Sequence, residues 1–335
     1  MNTVVLSHRV VPSRMSFRWA GRWWLGFLLI ATVAAFAIAR PQMLDAGNVA
    51  TVLRSAGLMA FMVLGLTWVN AAGKLDVSFM QVAALANMTV AWLVDTGSGW
   101  LVAGLAGLAV GVGVGALNGL LVGVLRLSPL ITTIATGGVC ASAAAAIGHG
   151  TSIRVADPGP LGALLDISFG PLPLIAIVAI TVYAIAWWCQ ERLTMGRYVY
   201  ALAENEAAVL EAGVPTSRLV VLLYILTGLF AAVAGVLLVP SLSSGQPMIG
   251  NSYFIDGLTA VLVGAMMIRI GQPNVIGSAT GVLLLATLVS GGALMGWPDF
   301  QRDILKGALL ILGVAFSVWM ARRTSFSSAT LEKRI

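Results

Sequence analysis

Long apolar segments recur from one end of this chain to the other, at a length that fits a lipid bilayer. Each runs about 17–25 residues, enough for a helix to cross a hydrocarbon core roughly 30 Å thick. Ten are placed, at 23–39, 56–72, 77–94, 100–124, 129–147, 171–189, 218–240, 255–270, 275–295 and 304–321. Lipid offers the backbone no hydrogen bonds, so each segment must satisfy its own, as a helix does. The residues are 59% hydrophobic and only 10% charged, whereas charged residues make up about a quarter of soluble domains. The expectation is an all-α polytopic membrane protein with about ten transmembrane helices. It divides into a tail over 1–22, one integrated membrane domain over 23–321 and a second tail over 322–335.

Orientation follows from the basic residues in the short loops. With the N-terminus in the cytoplasm, the inner set is Arg9, Arg14, Arg18, Arg22, Lys74, Arg126, Arg192, Arg197, Arg218, Arg269, Arg322, Arg323, Lys333 and Arg334. The outer set is Arg40, Arg54, Arg154, Arg302 and Lys306. Fourteen against five puts both termini and the 190–218 loop inside. The net charge of +6 is the same bias, and no nucleic-acid partner is needed to explain it. Ala37-Ile38-Ala39 resembles a signal-peptide cleavage site, but the run before it is long for a signal and Trp23-Trp24 suits an interfacial anchor. A retained first span is expected, and its removal would leave the sidedness of later loops unchanged.

Several chemistries lack their residues. Cys140 and Cys189 lie 49 positions apart with no CxxC partner, and His8 and His149 form no ligand cluster, so no metal is expected. None of Lys74, Lys306 and Lys333 completes a G-x-x-x-x-G-K-[ST] loop, so ATP is not bound here by a P-loop. No nucleophile–base pair appears, and the chain is read as a non-enzyme without cofactor. Few ionisable groups fall inside spans, which argues against an autonomous secondary carrier.

The fourth span carries Gly107, Gly111, Gly115, Gly119 and Gly123, a glycine every fourth residue along one side of a helix. Small residues let helix backbones approach closely in lipid, so this reads as a packing seam inside the protein, with a dimer contact as the alternative. Asn70, Asn87, Asn118, Thr132, Thr133, Thr136 and Asp256 sit at or near membrane depth. They are either interhelical hydrogen-bond partners or the lining of a wet translocation path. Asp256 is placed at the outer end of span eight, within reach of water. Lys74 and Asp76 flank the turn between spans two and three, as a pair or as surface markers.

The polar island QERLTMGRYVYALAENEAAVLEAGVPTSR at 190–218 holds Glu191, Glu204, Glu206 and Glu211, four of the five glutamates. A short helix is expected over 204–212, with Gly213 as its left-handed terminator and Pro215 preventing continuation. Glu204, Ala208 and Glu211 would share one face. So short a helix needs a partner, either the flanking spans or a cytosolic protein.

TMGRYVYALAENEAAVLEAGVP resembles the cytoplasmic coupling region of bacterial ABC-transporter permeases of the ribose/xylose/arabinose import type. GKLDVS (73–78) is similar to that family's GGIDLS, and LRLSPLITTIATGG (125–138), SSGQPMIGNSYFIDGLTAVLVGA (243–265) and DFQRDILKGALLILGVAF (299–316) match further blocks. The resemblance covers about 45 to 320. It implies an ABC importer permease bundle for a monosaccharide or polyol, pairing with a second permease copy as homodimer or heterodimer. It also implies a separate cytosolic ATPase and a periplasmic sugar-binding protein. On this resemblance the coupling role falls on Gly196, Arg197, Asn205, Ala207, Ala208 and Gly213; Glu204, Glu206 and Glu211 are added as acidic contacts for the ATPase. Two departures stand out: Lys74 replaces a glycine, and GAMMIRIGQPNVIG (264–277) replaces a glycine-rich loop. A branched-chain amino acid permease and a secondary carrier remain the alternative readings.

Overall fold

The computed structural model describes residues 15–313 and 315. Its helices are α1 (Met15–Ala39), α2 (Ala46–Ala71), α3 (Phe79–Asp95), α4 (Trp100–Gly119), α5 (Pro129–Ile147), α6 (Gly159–Asp166), α7 (Leu174–Arg192), α8 (Thr194–Glu204), α9 (Glu206–Glu211), α10 (Thr216–Leu242), α11 (Ile249–Gly264) and α12 (Val275–Leu294). A last helix covers 299–313. Among these, seven are long and apolar enough to cross a membrane: α1, α2, α4 with its continuation to Val124, α5, α7, α10 and α12. The apolar α3, with 17 residues, is shorter, and α11 has 16. The span expected at 304–321 begins earlier, at 299, and its residues from 316 onward lie outside the described ones.

Two expected boundaries move for local reasons. The second helix begins ten residues before the expected 56, because Asn48, Thr51, Arg54 and Ser55 interrupt the hydropathy without breaking the helix. The eighth spans Ile249–Gly264 rather than 255–270, since the chain turns over 265–274, where Ile268 and Gly271 take positive φ.

The core forms around α10, which packs against α2, α3 and α4. From Ala56 to Ala71 every residue of α2 is buried, as expected of a helix that is apolar all round. The α4 glycines face α10: a Cβ on Gly111 would collide with the Gly228 carbonyl, one on Gly115 with Tyr224, and one on Gly119 with Val221. The seam is therefore a helix-packing device within the chain, filled by α10.

Two connections inside the bundle are irregular. Between α2 and α3, the Asp76 carboxylate accepts from Ser78 N (2.8 Å) and Oγ (2.6 Å). Asn118 Nδ2 donates to Ser78 Oγ (2.8 Å) and Tyr224 donates to the Leu75 carbonyl (2.9 Å). Between α10 and α11, Ser243 takes φ 51° and the chain doubles back. Strand β2 (Ser244–Gly245) there pairs antiparallel with β1 (Ile153–Arg154). Gly245 lies against Ala91 and Gly250 against Met80 and Gln81, where any Cβ would clash. The segment 243–250 thus runs down along α3, and α11 starts beside the start of α3.

Candidate functional site

The polar island folds as two helices rather than one. The expected 204–212 helix is split at Asn205, which leaves helical geometry (φ −156°, ψ 96°). Its Oδ1 accepts the Ala208 N–H at 3.1 Å, so it caps α9 instead of continuing α8. This cap is the physical reason Glu204 belongs to α8 and lies outside the expected shared face. At the other end Gly213 has φ 82°. Its N–H donates to Leu210 O (2.9 Å) and that of Val214 to Val209 O (3.3 Å), the double bond pattern that closes a helix through a left-handed residue. Both ends of α9 are thereby tied off.

Helix α8 was missed in the sequence. It buries Gly196, Val199, Tyr200 and Leu202 against the bundle and leaves Arg197 exposed. Gly196 abuts the Gln190 carbonyl, and any Cβ would close that gap. In α9, Val209 is buried, while Ala207, Ala208, Leu210 and Glu211 face outward.

The pair of helices is tied to two loops. Arg269, in the turn after α11, donates through Nε and Nη2 to Glu191 at 3.0 and 2.8 Å. Its guanidinium also lies 4.3 Å from the centre of the Tyr200 ring. The hydrogen bond to Glu191 raises the Arg269 pKa further above its ordinary value, and burial pushes the Tyr200 hydroxyl up. Tyr200 donates to Pro273 O (3.0 Å), Gln272 to Glu204 (3.3 Å), and the Val275 N–H to Gln190 Oε1 (2.9 Å). Lys74 bonds Glu206 at 2.8 Å, so it pairs across to α9 and not with Asp76, which is buried in its own turn. Glu204 and Glu206 are thus engaged within the chain. Of the three acids assigned to ATPase contact, Glu211 has no ion pair or side-chain hydrogen bond among the described residues.

The membrane-depth polar residues have unlike surroundings. Asn87 is a brace: Nδ2 donates to Gly235 O (3.1 Å) and Oδ1 accepts from Gln246 N (2.8 Å), fixing the chain reversal before α11. Thr133 Oγ1 accepts from Val77 N (3.1 Å), and the half-buried Thr136 donates to Thr132 O (3.1 Å). Thr132 is buried on α5. Asn118 Oδ1 and both amide atoms of Asn70 are buried without a partner among the described residues.

Asp256 corrects an expectation. It lies in the middle of α11, is buried (8% exposed), and is clasped by Lys306 of the last helix at 2.9 and 3.0 Å. The helix starts six residues earlier than expected, which moves Asp256 away from its end. It lines a cavity of about 450 Å³ with Asn48, Thr51, Tyr253 and Ser290.

A bundle of apolar helices with buried polar groups, irregular connections packed inside it and a short helix pair tied to two of its loops has the build of a membrane transport subunit. Residues 48–314 match the family described as the branched-chain amino acid transport system / permease component, and the chain belongs to that family. It is 29% identical over 300 residues to the ribose import permease protein RbsC of Bacillus subtilis (strain 168), covering 87% of this chain and 90% of that protein. To RbsC of Escherichia coli (strain K12) it is 28% identical over 289 residues, 85% of this chain and 90% of the other. To the autoinducer 2 import system permease protein LsrD of Escherichia coli (strain K12) it is 28% identical over 328 residues, 93% and 99%. No solved structure matches the chain.

Proposed function

We propose that this chain is the membrane permease subunit of an ATP-driven importer for a monosaccharide or related polyol. A second permease copy completes the pore, a periplasmic binding protein delivers solute, and a separate cytosolic ATPase docks on α8 and α9. In this reading the protein sits in the bacterial inner membrane with both termini in the cytoplasm, as the distribution of Lys and Arg favours.

The observation that carries the proposal is the α8–α9 pair. Two short helices lie between α7 and α10, the second capped at both ends; they are tied to two loops and present Ala207, Ala208 and Leu210 outward. An exposed apolar knob on rigid supports suits a soluble partner that pushes and pulls. Arg269 and Lys74 give the push two routes, one into α11 and α12 through the 265–274 turn and one into the α2–α3 turn. The family description names branched-chain amino acids, but the three relatives above are named for ribose and autoinducer 2, and those names favour a hydroxylated solute.

Reconstitution tests the proposal. Permease, ATPase and binding protein from the same genomic neighbourhood in liposomes should import labelled D-ribose or another sugar only with ATP present. ATP-independent accumulation by the permease alone contradicts it.

A further inference from the structure

The side chains of Gln81 and Asn251 meet where α3 and α11 begin, with Gln81 Nε2 donating to Asn251 Oδ1 at 2.9 Å. Their depth follows from α10, whose 27 residues span about 40 Å at 1.5 Å per residue. Ala83 of α3 packs against Gly235 of α10, and Leu75 lies at the level of Tyr224. Gln81 therefore sits roughly two thirds of the way along α10, well inside a hydrocarbon layer about 30 Å thick.

At that depth burial is the norm, yet Gln81 is half-exposed and Asn251 is exposed. Each carboxamide has two donors and an acceptor, and the bond between them leaves most of that capacity open. Lipid does not satisfy it, and irregular backbone such as 243–248 is tolerated at this depth where it is packed in protein or lines a watery space. Gly137 of α5 lies against Gln81, and the half-buried Thr136 hydroxyl comes from the adjoining position. No charged side chain hydrogen-bonds either amide among the described residues. The chemistry offered is neutral, with donors and acceptors together, which is the pattern of a hydroxyl-bearing ligand and not of an anion or a zwitterion.

We propose that Gln81 and Asn251 form a contact point for an uncharged polyhydroxylated solute on its way through the membrane. This rests on the importer reading above and deepens it, since nothing in that reading places the solute against particular side chains. The Gly245 and Gly250 contacts hold the 243–250 segment against α3, so the two amides are set by close backbone packing.

The test uses the assembled transporter in membrane vesicles, with Cys140→Ala and Cys189→Ala removing the native thiols. Gln81→Cys and Asn251→Cys should both react with a water-soluble, permanently charged methanethiosulfonate. In the parent background, Gln81→Leu and Asn251→Leu should each cut ATP-driven D-ribose uptake at least about ten-fold, with the ATPase still co-purifying. Cysteines that resist the charged reagent but react with a lipid-soluble maleimide overturn the proposal, because the surface then faces lipid or a dry interface. So does undiminished uptake in both leucine variants. Failure of the unmodified transporter to import D-ribose counts against the sugar reading instead, and thiol accessibility still decides whether the site is wet.

Discussion

Lys74 Nζ lies 2.8 Å from the Glu206 carboxylate, joining the turn after α2 to the first residue of α9. The side chains are 22% and 42% exposed, and screening by solvent limits such a pair to about 0.5 kcal/mol. A double-mutant cycle of Lys74→Ala and Glu206→Ala, read by thermal unfolding in detergent, should give a coupling of that size that shrinks in high salt. Solute-stimulated ATP hydrolysis should fall more than stability does. A coupling near zero together with unaltered stimulation would falsify the link.

The Arg269 fork should be intolerant of lysine. An ammonium keeps the charge but loses the two-point grip on Glu191 and the broad face over Tyr200. Arg269→Lys is expected to lower transport several-fold and to cost about 1 kcal/mol in stability, roughly the worth of one ordinary hydrogen bond at a partly exposed site. Uptake and melting temperature of the purified variant check both.

Packing of α4 on α10 leaves no room for a methyl group. Gly115→Ala and Gly228→Ala each place a Cβ into opposing backbone, which should destabilise by about 1–3 kcal/mol as in other overpacked cores. Gly113, on another side of α4, has open space around it, so Gly113→Ala serves as the neutral control. Melting of the three variants decides, and a Gly115→Ala protein as stable as the control contradicts the packing.

The Asp256–Lys306 pair is buried, with side chains 11% and 12% exposed. Removing one partner strands the other, so Lys306→Met alone should cost about 3–5 kcal/mol. Combining it with Asp256→Leu should restore most of the loss, since well-packed apolar replacements of buried pairs are often neutral. Expression level and melting temperature of the single and double variants give the readout.

Much of this was legible from composition and spacing. The apolar segments announced the bundle, and the four-residue glycine period announced a close helix contact that proved to be α4 on α10. What hydropathy hid were elements whose stability comes from neighbours. Helix α8 reads as a polar loop until Val199, Tyr200 and Leu202 find the bundle, and α2 looked ten residues shorter because polar residues occupy its first turns. The Asn205 cap was visible as a residue type, but propensity alone favoured one unbroken helix through it. Sequence alone places Asp256 at the end of its helix, because the start of α11 depends on contacts with α3 that no local pattern encodes. Gln81 and Asn251, 170 positions apart, gave no signal until the fold brought them together.

The most direct test of the account is whether a soluble ATPase leaves the membrane with this chain through α9. Tagged protein extracted from its native host in mild detergent should carry a stoichiometric ATPase. Ala208→Asp puts a charge on the exposed apolar face, and Gly213→Val forces a branched side chain into φ 82°. Either should strip the ATPase while the permease stays inserted and folded. Wild-type protein recovered intact without any ATPase, or variants that retain it fully and transport normally, would contradict the assignment of α8 and α9 as the coupling element.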